Sequence, residues 1–247
     1  MNGSGPMKPI RLDRWLANMA CGSRTAVKRL IKTGQVLVNG IVCHDPGRQV
    51  HPGVDRVSCD GITISYQPYL YLMLNKPAGV VSATEDRRER TVLDLLDAKY
   101  LNKGLFPVGR LDKDSEGLLL LTNHGELAHQ LLAPQKHVVK KYFARVAGRV
   151  TSADQQAFSA GIILEDGYRT LPAELQILTV AAVSEVTVAL HEGKFHQIKR
   201  MFQVLGKPLL YLQRLAMGPL VLDQRLPLGS YRELSQEEIE SLLSINP

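Results

Sequence analysis

Residues 106–122 read FPVGRLDKDSEGLLLLT, a strand-like run, a polar connection and a second apolar run. The connection carries Arg110 and Asp112, two residues apart. In an extended segment side chains at i and i+2 share a face. An arginine beside an aspartate keeps the carboxylate ionised. An ionised, partly desolvated aspartate in a loop can act as a nucleophile or a base. The same pair also describes an ordinary surface ion pair, so the spacing alone leaves both roles open. Residues 192–205 read EGKFHQIKRMFQVL. Ile198, Met201, Phe202 and Leu205 follow helical spacing and predict a core face. His196, Lys199, Arg200 and Gln203 fall on the other face. Lys199 and Arg200, near the helix start, suit a carboxylate or a phosphate, and equally a solvated basic face. His196 has no second ligand at metal-binding spacing, so a structural hydrogen-bonding role is expected. Lys140-Lys141-Tyr142 opens a strand. A tyrosine there can pack as core, or stack on a base while its hydroxyl handles a proton.

These residues need elements to hold them. Leu12, Trp15, Leu16 and Met19 form one apolar helix face. Cys21-Gly22 breaks that helix, and Ser23 can cap a second one. In the second, Val27, Leu30 and Ile31 face inward, while Arg24, Lys28 and Lys32 recur every four residues as a basic stripe flanked by Arg29. Gly34 ends it. An Asn39-Gly40 turn between β-branched runs predicts a hairpin, with further short strands near 56–59 and 62–65. Gln67-Pro68 reads as a linker. Beyond it, short strands near 69–74, 105–108, 118–122, 142–146 and 186–190 alternate with helices near 92–96, 126–132, 152–160 and 197–205. That order predicts an α+β chain with a mixed or antiparallel sheet and helices packed on it.

Charge sharpens the division. Residues 1–67 hold nine Lys/Arg against four Asp, a net +5 of the chain's total +6, and the remaining residues are nearly neutral. Such asymmetry points to a module that meets a polyanion. Three cysteines without CxxC spacing support neither a disulfide framework nor a zinc site. No apolar run approaches the ~20 residues that span a membrane. Residues 1–9 read as a flexible leader without a secretory apolar region. The expected location is therefore the cytoplasm.

The N-terminal arrangement resembles the S-four-type RNA-binding domain, through RLDRWLA at 11–17, SR at 23–24 and GQVLVNG at 34–40. The resemblance implies an RNA surface lined by Arg11, Arg24, Lys28, Arg29 and Lys32, with phosphate contacts and salt-sensitive affinity. Four further motifs, NKPAG at 75–79, GRLDKDSEGLLLLT at 109–122, KKY at 140–142 and EGKFHQIKRM at 192–201, make the chain similar to the RsuA-like pseudouridine synthases, in order and spacing. That likeness implies a leader (1–9), an RNA-binding domain (10–67) and a pseudouridine synthase domain (68–247). The second domain is then a mixed, mainly antiparallel sheet with flanking helices. By the same resemblance Asp112 is the catalytic aspartate, Arg110 its partner in the loop and Tyr142 the residue that packs on the target base. Lys199 becomes the cation that pairs with Asp112, and Arg200 a further RNA contact. Ser115 stands where many relatives have threonine. Lys76 and Pro77 are expected as structural support.

The implied reaction isomerises one uridine of ribosomal RNA to pseudouridine. It needs no cofactor and no metal, and the sequence carries no phosphate loop or dinucleotide fingerprint. EGKFHQIKRM looks most like the branch acting on small-subunit ribosomal RNA, with the large subunit as the alternative. The expected partner is ribosomal RNA, alone or in a partly assembled particle, met by a monomer. Two rival readings are a non-catalytic RNA-binding assembly protein and a glycoside hydrolase using Asp112 with Asp114 or Glu116.

Overall fold

The computed structural model describes residues 9–19, 21–66, 69–101 and 103–245. The leader, apart from Pro9, and the 67–68 linker lie outside the described residues. The chain divides into two compact units that part at Pro68.

In the first unit, β1 (Ile10–Arg11) leads into α1 (Leu12–Asn18) and α2 (Arg24–Lys32). There follow β2 (Val36–Val38), β3 (Ile41–Val42), β4 (Gln49–Val50), β5 (Val57–Cys59) and β6 (Ile62–Ile64). The Ser23 side chain caps α2 by accepting from the Ala26 N–H at 3.3 Å. Leu12, Trp15 and Leu16 of α1 and Val27 and Ile31 of α2 pack on Val36, Val38, Val50 and Val57. Asn39 and Gly40 both take positive φ, 55° and 80°, the conformation that a two-residue hairpin requires. The strands order as β3-β2-β5-β6, and β1 pairs separately with β4. Cys21, Cys43 and Cys59 are free thiols.

The second unit runs β7 (Tyr71–Lys76), β8 (Phe106–Pro107), β9 (Glu116–Thr122), α3 (Gly125–Leu132), β10 (Lys140–Ala147) and α4 (Ser152–Ala160). It continues with β11 (Glu174–Thr179), β12 (Val183–Leu190), α5 (Gln197–Val204), β13 (Leu209–Met217), β14 (Leu220–Val221), β15 (Tyr231–Glu233) and α6 (Gln236–Leu243). The sheet order is β11-β12-β10-β13-β9-β7-β15, with β14 on β13 and β8 on β9. The β13–β9 pair is parallel and the other strand pairs are antiparallel. The mixed, mainly antiparallel expectation therefore holds.

The two halves of this sheet are covered differently, and their sequences say so. In β9, Leu118 and Leu120 join one core with α3 and α6, while Leu119 and Leu121 join another on the opposite face. A strand buried on both faces reads as a continuous apolar run. In β10, residues 140, 142, 144 and 146 are buried and the alternate ones more exposed. Its buried face packs on Phe158 of α4 and Met201 and Phe202 of α5. The expected helix near 92–96 is only a 3-10 turn, Leu93–Leu95. Asp94 instead accepts from the backbone and hydroxyl of Thr91, closing a tight turn. No helix among the described residues is long and apolar enough to cross a membrane.

Candidate active site

The loop before β9 is fixed from below. Lys76, at the end of β7, is fully buried. Its ammonium donates to the carbonyls of Ser115 at 2.8 Å, Asp112 at 3.0 Å and Pro77 at 3.0 Å, and lies 3.4 Å from that of Lys113. Burial pushes this lysine down to about 8, against the pull of Asp114, Asp112 and Glu116. The Gly79 N–H donates to the Lys113 carbonyl, and Ser82 brackets Leu111 by accepting from its N–H and donating to its carbonyl. NKPAG is thus a cradle for the loop backbone, which gives the expected structural support a physical form.

The loop presents Asp112 to α5. The Lys199 ammonium lies 3.1 Å from Asp112 Oδ2 and 2.6 Å from Asp114 Oδ1. Burial opposes the charge on both Lys199 and Asp114; their hydrogen bond and the opposite charges around it together outweigh it, raising the lysine and holding the Asp114 carboxyl below its usual range. His196 Nε2 stands 3.4 Å from Asp112 Oδ1. His196 adopts a left-handed backbone, φ 50°, and stacks on the exposed Phe195 ring at 3.7 Å. Positive φ in a non-glycine residue costs free energy and recurs at functional sites. The site's cleft, about 80 Å³, is lined by Arg110, Asp112, Ser115, Tyr142, His196 and Lys199, among others. Three motifs, spread from Arg110 to Lys199, therefore meet at one cleft, and the fourth holds the Asp112 loop from below.

Two expectations need correction. Arg110 and Asp112 share the cleft but form no ion pair with each other; Asp112 is met by residues of α5 and the residue before it. Lys199 holds the carboxylate as the resemblance implied, and His196 stands at its other oxygen. Arg200 is engaged by Asp166 at 2.6 Å and Glu165 at 3.4 Å. It ties α5 to the 165–166 turn and does not present a free guanidinium to RNA.

The same brace includes Glu192, which the sequence reading passed over. Its buried carboxylate accepts from the Leu171 N–H, the Tyr168 hydroxyl and Gln197 Nε2. Its only signal was an acidic residue opening an otherwise basic motif. Glu116 is taken by the Tyr211 hydroxyl at 2.7 Å, and Asp114 by Lys199. Neither is a second free carboxylate for glycoside hydrolysis. No group of three or more metal-ligating side chains occurs among the described residues.

In the first unit a concavity of about 470 Å³ is lined by Arg11, Asp13, Arg14, Arg24 and Lys28. Arg11 is forked onto Asp13 at 2.8 and 3.1 Å. Arg24, Lys28, Arg29 and Lys32 are exposed and make no ion pair among the described residues. Arg14 belongs with them; its spacing three residues after Arg11 was the available clue.

The family model for RNA pseudouridylate synthase matches residues 70–204, and the S4 domain model matches residues 10–55. The chain is 44% identical over 234 residues to the uncharacterized RNA pseudouridine synthase YtzG of Bacillus subtilis, covering 94% of this chain and 98% of that one. It is 36% identical to the ribosomal small subunit pseudouridine synthase A of Vibrio cholerae, covering 94% and 99%. A crystal structure of a pseudouridylate synthase matches with a TM-score of 0.66 and 34% identity, covering 94% of this chain and 99% of that one.

Proposed function

We propose a function that proceeds from one premise: the chain belongs to the RNA pseudouridylate synthase family. It is an RNA pseudouridine synthase with an S4 domain. Our reading is that it isomerises a uridine of small-subunit ribosomal RNA, with Asp112 as the catalytic aspartate. The observation that carries the site is the Asp112 carboxylate held 3.1 Å from Lys199 in a cleft walled by Tyr142. The likeness to the Vibrio cholerae small-subunit enzyme supports the target.

The geometry suits a base taken out of its stack. Unstacking costs a few kcal/mol, which phosphate contacts and stacking on Tyr142 offset. Lys199 aims Asp112 from one carboxylate oxygen, and His196 limits its rotation from the other. Arg110, exposed at the mouth, is placed to meet the backbone of the same nucleotide. The exposed cations of α2 hold flanking RNA through phosphates. We take the enzyme to work as a monomer in the cytoplasm, on ribosomal RNA or a partly assembled particle.

The test is to map pseudouridines in both ribosomal RNAs of a deletion strain, then to complement it with wild-type and Asp112→Asn chains. One small-subunit pseudouridine should vanish and return only with the wild type. A missing large-subunit site would overturn the target, and restoration by Asp112→Asn would overturn the role of the aspartate.

A further inference from the structure

Beneath the cleft lie two buried cations that the reaction as described does not use. Lys140 opens β10 at 9% exposure, and Arg214 in β13 is 3% exposed. Arg214 Nε donates to the Leu118 carbonyl at 2.7 Å, while its Nη2 is buried with no hydrogen-bond partner in the protein. The Lys140 ammonium makes no hydrogen bond and no ion pair among the described residues. Burial and the Arg214 charge both push it down. The contrast with Lys76 is direct, because that ammonium is wrapped in backbone carbonyls.

Register places the two on the reacting face of the sheet. Arg214 pairs with Tyr142, and Lys140 pairs with Leu190. Tyr142, Leu190 and Leu212, two residues before Arg214, all line the cleft. The Ser115 hydroxyl, which also lines it, is buried without a partner. The nearby buried acid, Glu192, is saturated by Leu171, Tyr168 and Gln197. Isolated buried charges are costly. A cluster of one sign, left unneutralised next to a reaction cleft, is the arrangement expected where opposite charge develops during the reaction.

Resting on the reading that this cleft isomerises uridine, we propose that Lys140 and Arg214 form a cationic floor that stabilises the negative charge on the detached uracil. When the C1′–N1 bond breaks, its electron pair stays with N1 and spreads onto O2 and O4. The base then bonds to C1′ through C5. The C5 proton leaves and N1 gains one, so the product is an isomer and no co-reactant is consumed. The floor acts between those two events, while the base is an anion, and it also keeps that base from escaping.

The test compares Lys140→Met, Lys140→Arg and Lys141→Met. Lys141 is the neighbouring cation on the exposed face, so its variant controls for loss of one charge. Ribosomal RNA from the deletion strain is the probe, free and as purified particles, with Asp112→Asn alongside. Lys140→Met should melt at the wild-type temperature or above, since it removes a desolvated charge. It should bind RNA as the wild type does, yet its single-turnover rate should fall about 100-fold. Lys140→Arg should recover most of that rate, and Lys141→Met should lose none. A wild-type rate in Lys140→Met overturns the floor, as does a loss matched by lower melting temperature or weaker binding. Activity in Asp112→Asn would instead overturn the reading of the cleft, and the floor with it.

Discussion

The two units hold positive charge in opposite ways. In the first, Arg24, Lys28, Arg29 and Lys32 stand exposed on α2, unpaired with acids among the described residues. In the second, Lys199 is clamped between two aspartates, Arg200 is spent on Glu165 and Asp166, and Lys76 is sunk among carbonyls. Exposed charges are screened by salt and act through their number. Clamped or buried ones are screened less and act through their position. One unit is therefore built for capture and the other for placement, although both are rich in the same residue types.

The sharpest way to break this contrast is at Asp112. Asp112→Asn should lose about 10⁴-fold or more in turnover while RNA affinity, read by filter binding, stays near wild type. A large affinity loss would mean that the second unit also governs capture. Next comes Lys199→Met, expected to lose about 100-fold in rate, with Lys199→Arg restoring much of it because the charge stays beside Asp112.

Proton release from Lys76 gives a third handle. Its ammonium, held near 8 in the folded chain, loses its proton and one donor above that pH. Turnover should decline by about tenfold per unit on that limb. Folding stability should move the other way. The unfolded lysine keeps its proton to 10.5, so the cost of burying the charge disappears between about 8 and 10.5 and stability rises. A rate that stays flat through this window in a folded enzyme would remove Lys76 from the placement argument.

The first unit should answer differently. Neutralising Arg24, Lys28 and Lys32 together should flatten the slope of log affinity against log salt by about two, at roughly 0.7 per phosphate contact. The rate at saturating RNA should not change. The smallest effect is Ser23→Ala, which should cost about 1 kcal/mol of stability through the lost cap, measured by denaturant unfolding, and leave turnover alone.

What could be read from the sequence followed how local each cause was. The hairpin at Asn39-Gly40 and helix α4, with its Thr151 and Asp154 capping box, are set by neighbours in the chain, and both were legible. Strand β13 was missed. It packs between β10 and β9, carries register shifts and buries Arg214, so its sequence never alternates cleanly. The Asp112 motif stood out, and its expected pairing with Lys199 is met at 3.1 Å, whereas the pairing with Arg110 is not. Spacing of i, i+2 offers a shared face, but the groups that reach Asp112 come from 196–199, far along the chain. Glu192 works through contacts with Tyr168 and Leu171, more than 20 residues earlier, which spacing does not encode.

Strand β13 also sets when the enzyme can exist. Without it the sheet is two unconnected ribbons, β11-β12-β10 and β9-β7-β15. Asp112 belongs to the loop entering one ribbon and Tyr142 to the other. The joining residue, Gly117, has φ +98°, and a Cβ there would lie within 2.8 Å of two Arg214 backbone atoms, so no other side chain fits the seam. Contacts this distant in sequence form late, because loop closure must come first. A growing chain thus completes its RNA-capturing unit early, and the pieces of its reaction cleft stay apart until β13 emerges from the ribosome.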